Sequence, residues 1–425
     1  MKHSITLSLI IFSTFSAYAQ DVDRTVVLDE VTVKAAKVVN KPDGMTIYPT
    51  ETQKKNSSNG YGLLEKLALP KLRIDNATHS VSAIDSKGTV QLRINGIIAD
   101  KQEMVSLDPK SITRIDFIDN PGVRYGDGIA YVINILTRRT DSGYTVGTDL
   151  TSALTTLQAD GMAYGKRNKG RSEWSLSYGL NGSRTSGSRN MQTADYTLND
   201  GSIHTIERND VESLQQALAH NAKISYNWAD STATVLQVSL SESFSKTPGN
   251  YSIKEVADGS HRYNATTRDD SKGSSPVLDL YFFRQFTPRQ SVTANAVGTY
   301  ISTHTGSFYD EGTPYRYDVD GKSASLLSEV IYENRLKPFT LSAGLNYSYK
   351  HTKNDYHGDA SALTAMNNNA LYAFGEIKGS LRQLRYALGT GASYIHYTQN
   401  GHSYDFWTLR PKVSLTYGFN NGMQL

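Results

Sequence analysis

The side chains that most often carry catalysis are present in this sequence but are not arranged for it. The chain has 10 histidines and no cysteine, and the histidines form no HxxxH or HExxH motif. Serine and aspartate are abundant, yet no G-x-S-x-G motif and no glycine-rich phosphate loop occurs. We therefore expect no enzymatic activity, no metal centre and no cofactor, and we assign no ligand-binding residue.

Three other groups of residues admit a binding interpretation beside a simpler one. The basic run Lys166–Arg171 suits an anionic partner, but a solvated turn explains it better. Asp258-Gly259 and Asp320-Gly321 suit calcium, although Asp-Gly is first a turn former. Four tyrosines in or beside long polar stretches suit stacking on a ligand and a position at a membrane interface equally well: Tyr196, Tyr251, Tyr309 and Tyr356.

Composition excludes two large classes of protein. Lysine and arginine number 44 against 41 aspartates and glutamates, so no strong charge suggests a nucleic-acid partner. Outside the N-terminus no apolar run approaches the ~20 residues of a spanning helix, which rules out a helical membrane bundle. The 27 tyrosines and 33 glycines, in a chain with only 38% hydrophobic residues, favour alternating strands that are apolar on one side.

The first residues have the pattern of a secretory signal peptide. A short positive start, Met1–Ser4, leads into the apolar stretch Ile5–Phe15 and the small-x-small site Ala17–Ala19. A buried N-terminal helix is the rejected alternative, because the apolar stretch ends in a cleavage site. We expect residues 1–19 to be removed and the protein to be exported.

The next region, up to about residue 140, reads as a small mixed α/β unit. An amphipathic helix that Pro70 ends follows a polar leader, and an Asn-Gly hairpin turn follows one of the later strands. The predicted elements are the β-rich segment Leu28–Val33, the helix Gly62–Leu69 and the strands Val90–Ile94, Ile112–Ile118 and Tyr131–Thr137.

From residue 143 onward the sequence alternates with a period of two. Trp174–Asn181, Leu341–Lys350 and Val413–Asn420 each have one apolar, aromatic face and one small, polar face. A soluble sandwich turns its polar face outward, whereas a transmembrane barrel turns its apolar face to lipid. Alternation alone does not distinguish them.

The lengths of the connections favour the barrel. About twelve strands are expected, near 144–153, 157–166, 172–186, 213–228, 232–246, 274–287, 290–304, 323–336, 339–350, 368–382, 385–398 and 406–419. Links of a few residues, such as Lys169-Gly170 and Lys337-Pro338, alternate with long polar stretches such as Thr185–Glu212 and Lys246–Gly273. Outer-membrane barrels have short periplasmic turns and long outer loops, and a sandwich has no reason for this alternation.

The residues from Leu28 to Arg139, taken in order, resemble the plug domain of TonB-dependent outer-membrane receptors. The resemblance departs from the usual family wording at Asn120–Gly122, where Arg-Gly-Pro is commoner, and at Ala130-Tyr131, where a glycine pair is usual. It implies a small α/β plug followed by an antiparallel transmembrane β-barrel. The motif residues that it implies are Asn95, Gly96, Arg114, Pro121, Gly122, Tyr125, Gly126 and Asn134.

The resemblance also places an energy-coupling segment, the TonB box, at residues 28–33. A short β-prone stretch on a periplasmic leader can add as a strand to a partner's sheet edge. The alternative is that Val31–Val33 is simply the first plug strand. The residues expected to contact a TonB-type partner are Leu28, Asp29, Glu30, Val31, Thr32 and Val33.

The expected domains are a signal peptide (1–19), a periplasmic leader (20–40), a plug (41–140) and a barrel (141–425). Twelve strands close too narrow a lumen for a folded plug, because plugged barrels have about 22 strands. Met423–Leu425 also looks like the opening of a thirteenth strand. We therefore expect the chain to be the N-terminal part of a longer receptor and to lack about ten of that receptor's strands.

These expectations together describe a receptor in the outer membrane. It contacts outer-membrane lipid, a TonB-type coupling protein and a small extracellular ligand, and it imports a scarce nutrient of the siderophore, cobalamin, glycan or peptide class. The alternative is a structural or adhesive outer-membrane barrel that needs no energy. The loops that carry ligand choice do not reveal the ligand.

Overall fold

The computed structural model describes residues 37–417, with gaps at 42, 86, 120, 122–124, 126–127, 139–141, 154, 231–232 and 360. These residues form one small sheet, one two-stranded hairpin and one large antiparallel sheet. The fold is mainly β, as expected from the sequence. No helix in the described part of the chain is long and apolar enough to cross a membrane.

The small sheet and its helices occupy residues 37–138, which we call the plug. Its six strands lie in the order β1-β2-β7-β8-β5-β6, and only β5 and β8 are parallel. The strands are β1 (Lys37–Lys41), β2 (Gly44–Tyr48), β3 (Leu72–Asp75), β4 (Ser80–Ala83), β5 (Thr89–Ile94), β6 (Ile97–Ile98), β7 (Ile112–Ile118) and β8 (Ile129–Thr137). The helices are α1 (Glu51–Lys55), α2 (Gly60–Leu67) and α3 (Lys101–Val105), with a 3-10 turn at Pro109–Ser111.

The plug has its own apolar core between α2 and the sheet. Leu63 and Leu64 of α2 pack against Ile115 and Phe117 of β7, and all four side chains are buried. The alternation expected for Ile112–Ile118 is therefore confirmed. The helix begins two residues earlier than expected, because the side chain of Asn59 accepts a hydrogen bond from Gly62 N at 2.9 Å and caps it.

The large sheet occupies residues 142–417, which we call the wall. Its strands are β9 (Ser142–Ala153), β10 (Leu157–Lys169), β11 (Ser172–Ser186), β12 (Met191–Thr197), β13 (Ile203–Asp230), β14 (Thr234–Asp258), β15 (His261–Ser274), β16 (Val277–Gln285), β17 (Gln290–Asp310), β18 (Pro314–Arg335), β19 (Phe339–Gly358), β20 (Ala362–Leu381), β21 (Leu384–Gln399), β22 (His402–Leu409) and β23 (Lys412–Tyr417). Three positions in the order of the sheet are each occupied by two strands: β11 with β12, β15 with β16, and β22 with β23. The fifteen strands therefore fill twelve positions, in agreement with the sequence.

The two faces of the wall differ in polarity. On β11, Trp174 and Leu176 are 54% and 61% exposed on the outer face, while Ser175 and Ser177 lie on the inner face beside the plug. On β23, Val413 and Leu415 are likewise exposed. An apolar outer face with a polar inner face is the arrangement of a barrel in lipid, so the alternation is oriented as the barrel interpretation requires.

The long polar stretches between the predicted strands are strands rather than irregular loops, which corrects the expectation. Lys246–Gly273 forms the end of β14, a turn near Gly259 and most of β15. A membrane crossing needs about 9–11 residues, but β13 alone has 28. The sheet therefore continues far beyond the apolar band. The parts of the strands beyond this band are surrounded by water and need no apolar face, so their sequences resemble those of loops.

The wall surrounds the plug. Plug residues contact β10, β11 and β13 on one side and β20, β21 and β23 on the other. Within the described residues no pairing joins β9 to β22 or β23. β1 begins at Lys37, inside the stretch expected to be leader, and the domain boundaries remain predictions.

Candidate functional site

The Asn95–Gly96 turn brings three of the motif residues together. Both residues have positive φ, 53° and 87°, as a tight turn between β5 and β6 requires. The Asn134 side chain accepts a hydrogen bond from Gly96 N at 2.8 Å. Asn95 accepts from Thr137 N and donates to the Thr137 hydroxyl, which ties the turn to β8. The turn is thus held by side chains of the neighbouring parallel strand.

A cavity of about 760 Å³ separates this part of the plug from the wall. The motif residues Arg114 and Tyr125 line it together with the turn. Arg93 links two of these features, because its guanidinium donates to Gly96 O at 2.8 Å and lies 5.3 Å from the centre of the Tyr125 ring. The cavity is lined by charged groups of both signs, so the space between plug and wall suits water.

Helix α3 is attached to the wall by an ion-pair cluster. Lys223 of β13 lies 2.7 Å from Asp100 Oδ2 and 3.0 Å from Glu103 Oε1. The other oxygen of each carboxylate forms the capping box of α3: Asp100 Oδ1 accepts from Glu103 N at 2.8 Å, and Glu103 Oε2 accepts from Asp100 N at 3.0 Å. We call Asp100, Glu103 and Lys223 the α3 anchor.

Burial shapes the electrostatics of the anchor. The Glu103 and Lys223 side chains are only 23% and 13% exposed, while Asp100 is 45% exposed. Burial raises the pKa of Glu103 above its usual range; Asp100 raises it further, and Lys223 opposes both. The lysine is therefore the counter-ion that keeps this carboxyl compatible with its buried position.

Two further polar contacts support α3. Lys101 lies 3.0 Å from Asp160 of β10. Ser177 of β11 donates to the Gln102 side chain at 2.9 Å. A Cβ on Gly179 would lie 2.9 Å from Gln102 Nε2, so a larger residue there would displace the Gln102 amide. These contacts between α3 and the wall are ion pairs and hydrogen bonds.

A second attachment lies on the opposite side of the plug. Asp43, at the turn between β1 and β2, lies 2.6 Å from Lys378 of β20, and both side chains are mostly buried. The backbone carbonyl of Lys41 accepts from Arg385 of β21 at 3.0 Å. The motif residue Pro121 accepts from Lys412 of β23 through its carbonyl. The plug is thus held at two separated places by polar groups.

A third feature lies in the extended part of the wall. A cavity of about 330 Å³ lies among β11, β13, β14 and β15. Hydroxyl and amide side chains such as those of Gln216 and Asn250 line it together with apolar ones such as that of Leu214, and Tyr251 lies beside them. Register shifts in β13 and β14 next to it open the sheet. This hollow of mixed polarity, away from the plug, is a candidate place for ligand capture.

Comparison with solved structures identifies the fold. The copper transporter OprC superposes with a TM-score of 0.55 and 13% identity, over 90% of this chain and 61% of its own. This is the fold of a TonB-dependent outer-membrane receptor. FyuA, the ferric yersiniabactin uptake receptor of Yersinia pestis (TM-score 0.39, 10% identity, 89% and 79% covered), is another such receptor. BauA, the ferric preacinetobactin receptor of Acinetobacter baumannii (0.44, 8%, 89% and 62%), is a third.

Sequence comparisons add nothing to the fold. No family model matches the chain, and no curated protein matches it. The chain spans about three fifths of the length of OprC. The structural likeness therefore establishes the TonB-dependent receptor fold. Any more specific conclusion about function must rest on the residues of the site.

Within the described residues, the motif residues expected from the plug resemblance lie either at the cavity or at the second attachment. Asn95, Gly96 and Asn134 form one hydrogen-bonded group, and Arg114 and Tyr125 line the same cavity. Pro121 lies at the second attachment. Gly122, Gly126 and the TonB-box segment Leu28–Val33 lie outside the described residues. Their roles remain predictions.

Sequence reasoning missed the residues that attach the plug to the wall. For Asp100 and Glu103 a local signal was present, because Asp-x-x-Glu is a capping-box pattern. Lys223 and Lys378 carry no such signal, since each meets a partner more than a hundred positions away. In residues 37–417, outside the gaps, no group of three or more His, Asp and Glu side chains is placed to hold a metal ion.

Proposed function

We propose that the receptor that contains this chain imports a small extracellular ligand across the outer membrane and that a TonB-type partner supplies the energy. The proposed order of domains is signal peptide (1–19), periplasmic leader (20–40), plug (41–140) and barrel (141–425). The observation that carries the proposal is the plug itself. It lies inside a wall with an apolar outer face, and polar groups attach it at two places.

The chemistry of these attachments suits a plug that must move. Most of the apolar core of the plug lies within the plug, between α2 and its own sheet, and Met162 of the wall packs against it. Its contacts with the wall at α3 and Asp43 are ion pairs and hydrogen bonds. When such polar groups separate, water can form hydrogen bonds with each of them, whereas apolar surface that becomes exposed to water raises the free energy. A pull on the plug therefore costs less than unfolding it.

The leader would deliver that pull. Residues Leu28–Val33 form a short β-prone stretch that can add as a strand to the sheet edge of a periplasmic partner. Backbone hydrogen bonds would then attach the segment to the partner, and the covalent chain through residues 34–36 would pass the tension on to β1. β1 pairs with β2, and Asp43 directly precedes β2. The attachment through Asp43 would therefore be the first contact between plug and wall that the tension reaches.

The ligand stays open at the level of its class. The cavity near Tyr251 has both polar and apolar lining groups and so suits ligands that carry both, which include siderophores, cobalamin, glycans and peptides. The likeness to a copper transporter and to two siderophore receptors concerns the fold. We do not carry their cargo over to this chain.

A deletion in the leader tests the coupling. A strain that lacks the gene would be complemented with the intact receptor or with the intact receptor lacking Asp29–Val33, and growth on single iron and single glycan sources compared. A matched deletion of Asp21–Thr25 controls for leader length. We expect the first deletion to abolish the growth advantage and the second to preserve it. Equal growth of all three strains would favour the non-energised structural barrel instead.

A further inference from the structure

The cavity of about 330 Å³ in the extended part of the wall, which we call the hollow, belongs mainly to the inner face. Ser183 and Thr185 follow Ser177 on the same face of β11. Their pairing partners on β13, Ala217 and Gln215, therefore also face inward, because paired residues share a face of the sheet. All four of these partners line the hollow.

The inner face of the hollow continues across β14 and β15. Ser213 lies two residues before Gln215 and pairs with Ser252 of β14. Ser252 pairs with Thr267 of β15, and Asp269 follows Thr267 on the same face. Ser252, Thr267 and Asp269 all line the hollow. Hydroxyl, amide and carboxylate groups from four strands therefore surround it.

Three tyrosines adjoin the hollow on the same face, and we call Tyr309, Tyr315 and Tyr317 the tyrosine shelf. Tyr309 of β17 is the pairing partner of Thr267 and, on its other side, of Tyr315 of β18. Tyr317 lies two residues after Tyr315, and the two ring centres are 5.7 Å apart. Tyr309 and Tyr315 are each 39% exposed. A membrane girdle has its aromatic side chains on the outer face, so the inward position of the shelf favours contact with a ligand.

Side chains hold the hollow open. The pairing of β13 with β14 is interrupted between residues 214 and 218 of β13. Within this interruption Gln216 N donates to Asn250 Oδ1 at 2.7 Å, and Gln216 Nε2 donates to the Pro248 carbonyl at 2.5 Å. These bonds take the place of hydrogen bonds between the strands. The hollow is therefore preorganised, which lowers the cost of filling it.

The charges at the hollow disfavour an anionic ligand. Asp269 lines it, and among the described residues that line it there is no lysine, arginine or histidine. Farther along the inner face Arg208 lies 2.9 Å from Glu311, and Lys254 lies 3.8 Å from Asp210. These two cations already have carboxylate partners. An anionic chelate in the hollow would therefore meet a like charge, which weakens binding.

We propose that the hollow and the tyrosine shelf together bind a neutral oligosaccharide. This inference rests on the proposed import function and names the class of its ligand. A sugar ring carries hydroxyl groups at its edge and C–H groups on its faces. The hydroxyl, amide and carboxylate groups of the hollow can donate to and accept from that edge. The exposed tyrosine rings offer flat apolar surface to the faces of the neighbouring sugar unit.

The size of the hollow suits the end of such a chain. Small-molecule sites have volumes of about 300–1,000 Å³, and the hollow, at about 330 Å³, lies at the lower end of that range. It would take the terminal sugar, while the next units lie on the shelf. Both parts of the site face the interior of the wall, on the route that a ligand takes towards the plug.

Binding of glycans to the intact receptor tests the site. The receptor that contains this chain, purified in neutral detergent, would be applied to an array of neutral oligosaccharides from starch, xylan, mannan and arabinan, with oligogalacturonates as anionic counterparts. Calorimetry would then give the affinity for the best neutral glycan. The site variant is D269A/Y309A. The matched control R268A/F308A changes the same two strands one residue away, on the outer face.

We expect wild type and control to bind a neutral glycan with equal affinity and the site variant to bind it about tenfold more weakly. The single variant Y309A serves if the double variant does not fold. Within the described residues the Tyr309 side chain makes no hydrogen bond, so its removal should leave the fold intact. We expect Y309A to weaken binding about threefold, as the loss of an aromatic contact would.

Three results would overturn the inference: no binding of any neutral oligosaccharide on the array, preferential binding of oligogalacturonates, or equal affinity of wild type and Y309A. The leader deletion separates this inference from the proposed function. Growth that depends on Asp29–Val33, without binding of a neutral glycan, defeats the glycan site alone. Binding of a neutral glycan, with growth on it that does not depend on Asp29–Val33, defeats the proposed coupling and leaves the site.

Discussion

Asp100 holds Lys223 with one carboxylate oxygen and caps helix α3 with the other. Oδ2 lies 2.7 Å from the lysine Nζ, and Oδ1 accepts from Glu103 N at 2.8 Å. Glu103 divides its oxygens in the same way. The attachment of the plug and the first turn of its helix therefore use the same two side chains, and loss of the lysine should affect both.

Replacing Lys223 by methionine should destabilise the α3 region. The variant leaves two carboxylates facing each other, one of them largely buried, without a counter-ion. Removal of one partner of such a pair typically costs about 3 kcal/mol. We expect hydrogen exchange of residues 100–106 to quicken accordingly, while the amides of the plug core in β7 stay protected. Unchanged exchange in α3 would show that the ion pairs do not hold the helix.

The effect of that substitution should depend on pH in a defined direction. The folded pKa of Glu103 is raised by burial, so its contribution to stability is present at low pH and is lost as the pH rises through that value. Without Lys223 the pKa should rise further. The difference in unfolding free energy between K223M and wild type should therefore shrink in acid. A difference that grows on acidification contradicts the assignment of Glu103.

The two attachments should act independently. Lys378 and Lys223 lie on opposite sides of the plug and pair with different carboxylates. Destabilisations at distant sites add within about 0.5 kcal/mol. The double variant K223M/K378M should therefore show the sum of the two single effects in urea unfolding. A large coupling energy between the substitutions would mean that the plug moves as one rigid insert with a single point of release.

Substituting alanine for Gly96 should destabilise the β5–β6 turn. Gly96 has φ +87°, and a Cβ there would lie 3.3 Å from the Tyr281 hydroxyl. A side chain in this left-handed region costs about 1–2 kcal/mol. Gly298→Ala is the matched control, because its Cβ would meet nothing within 4 Å. Thermal unfolding should separate the two variants, and equal midpoints would contradict the turn geometry.

An arginine on the outer face should distinguish lipid contact from water contact. Leu176, which is 61% exposed, lies in the apolar band, so L176R should cost about 2–4 kcal/mol of folding stability in bilayers. Ile203, which is 68% exposed, lies at the outer end of β13, where I203R should change stability by less than about 0.5 kcal/mol. Similar effects at both positions would mean that the band does not face lipid.

The sequence predicted most of the fold because its signals are local. Period-two alternation placed twelve strand positions, and the apolar faces of Ile112–Ile118 and Trp174–Leu180 point as expected. The Asn95-Gly96 turn follows from backbone chemistry alone. These patterns depend on neighbours two to four residues apart, which is the range that a single sequence records.

The sequence did not predict the strand extensions or the plug attachments, for two different reasons. Residues such as those of Lys246–Gly273 lie beyond the apolar band and need no apolar face, so polar strands there resemble loops. Lys223 and Lys378 acquire meaning only through Asp100 and Asp43, which the fold brings to them from far along the chain. No local pattern marks such pairs.

Displacement of the plug by an energised partner can be measured without knowing the ligand. The chain has no cysteine, so S177C would place a single thiol on the inner face of β11, beneath Gln102 of α3. Y309C, near the outer end of β17, serves as an accessible control. Cells of the native host would be treated with a membrane-impermeant maleimide, with and without a protonophore.

We expect S177C to be labelled in energised cells and protected both by the protonophore and by deletion of Asp29–Val33, while Y309C is labelled throughout. Labelling of S177C that is the same in all three conditions would contradict energised displacement of the plug, because the position of the plug would then not depend on the available force.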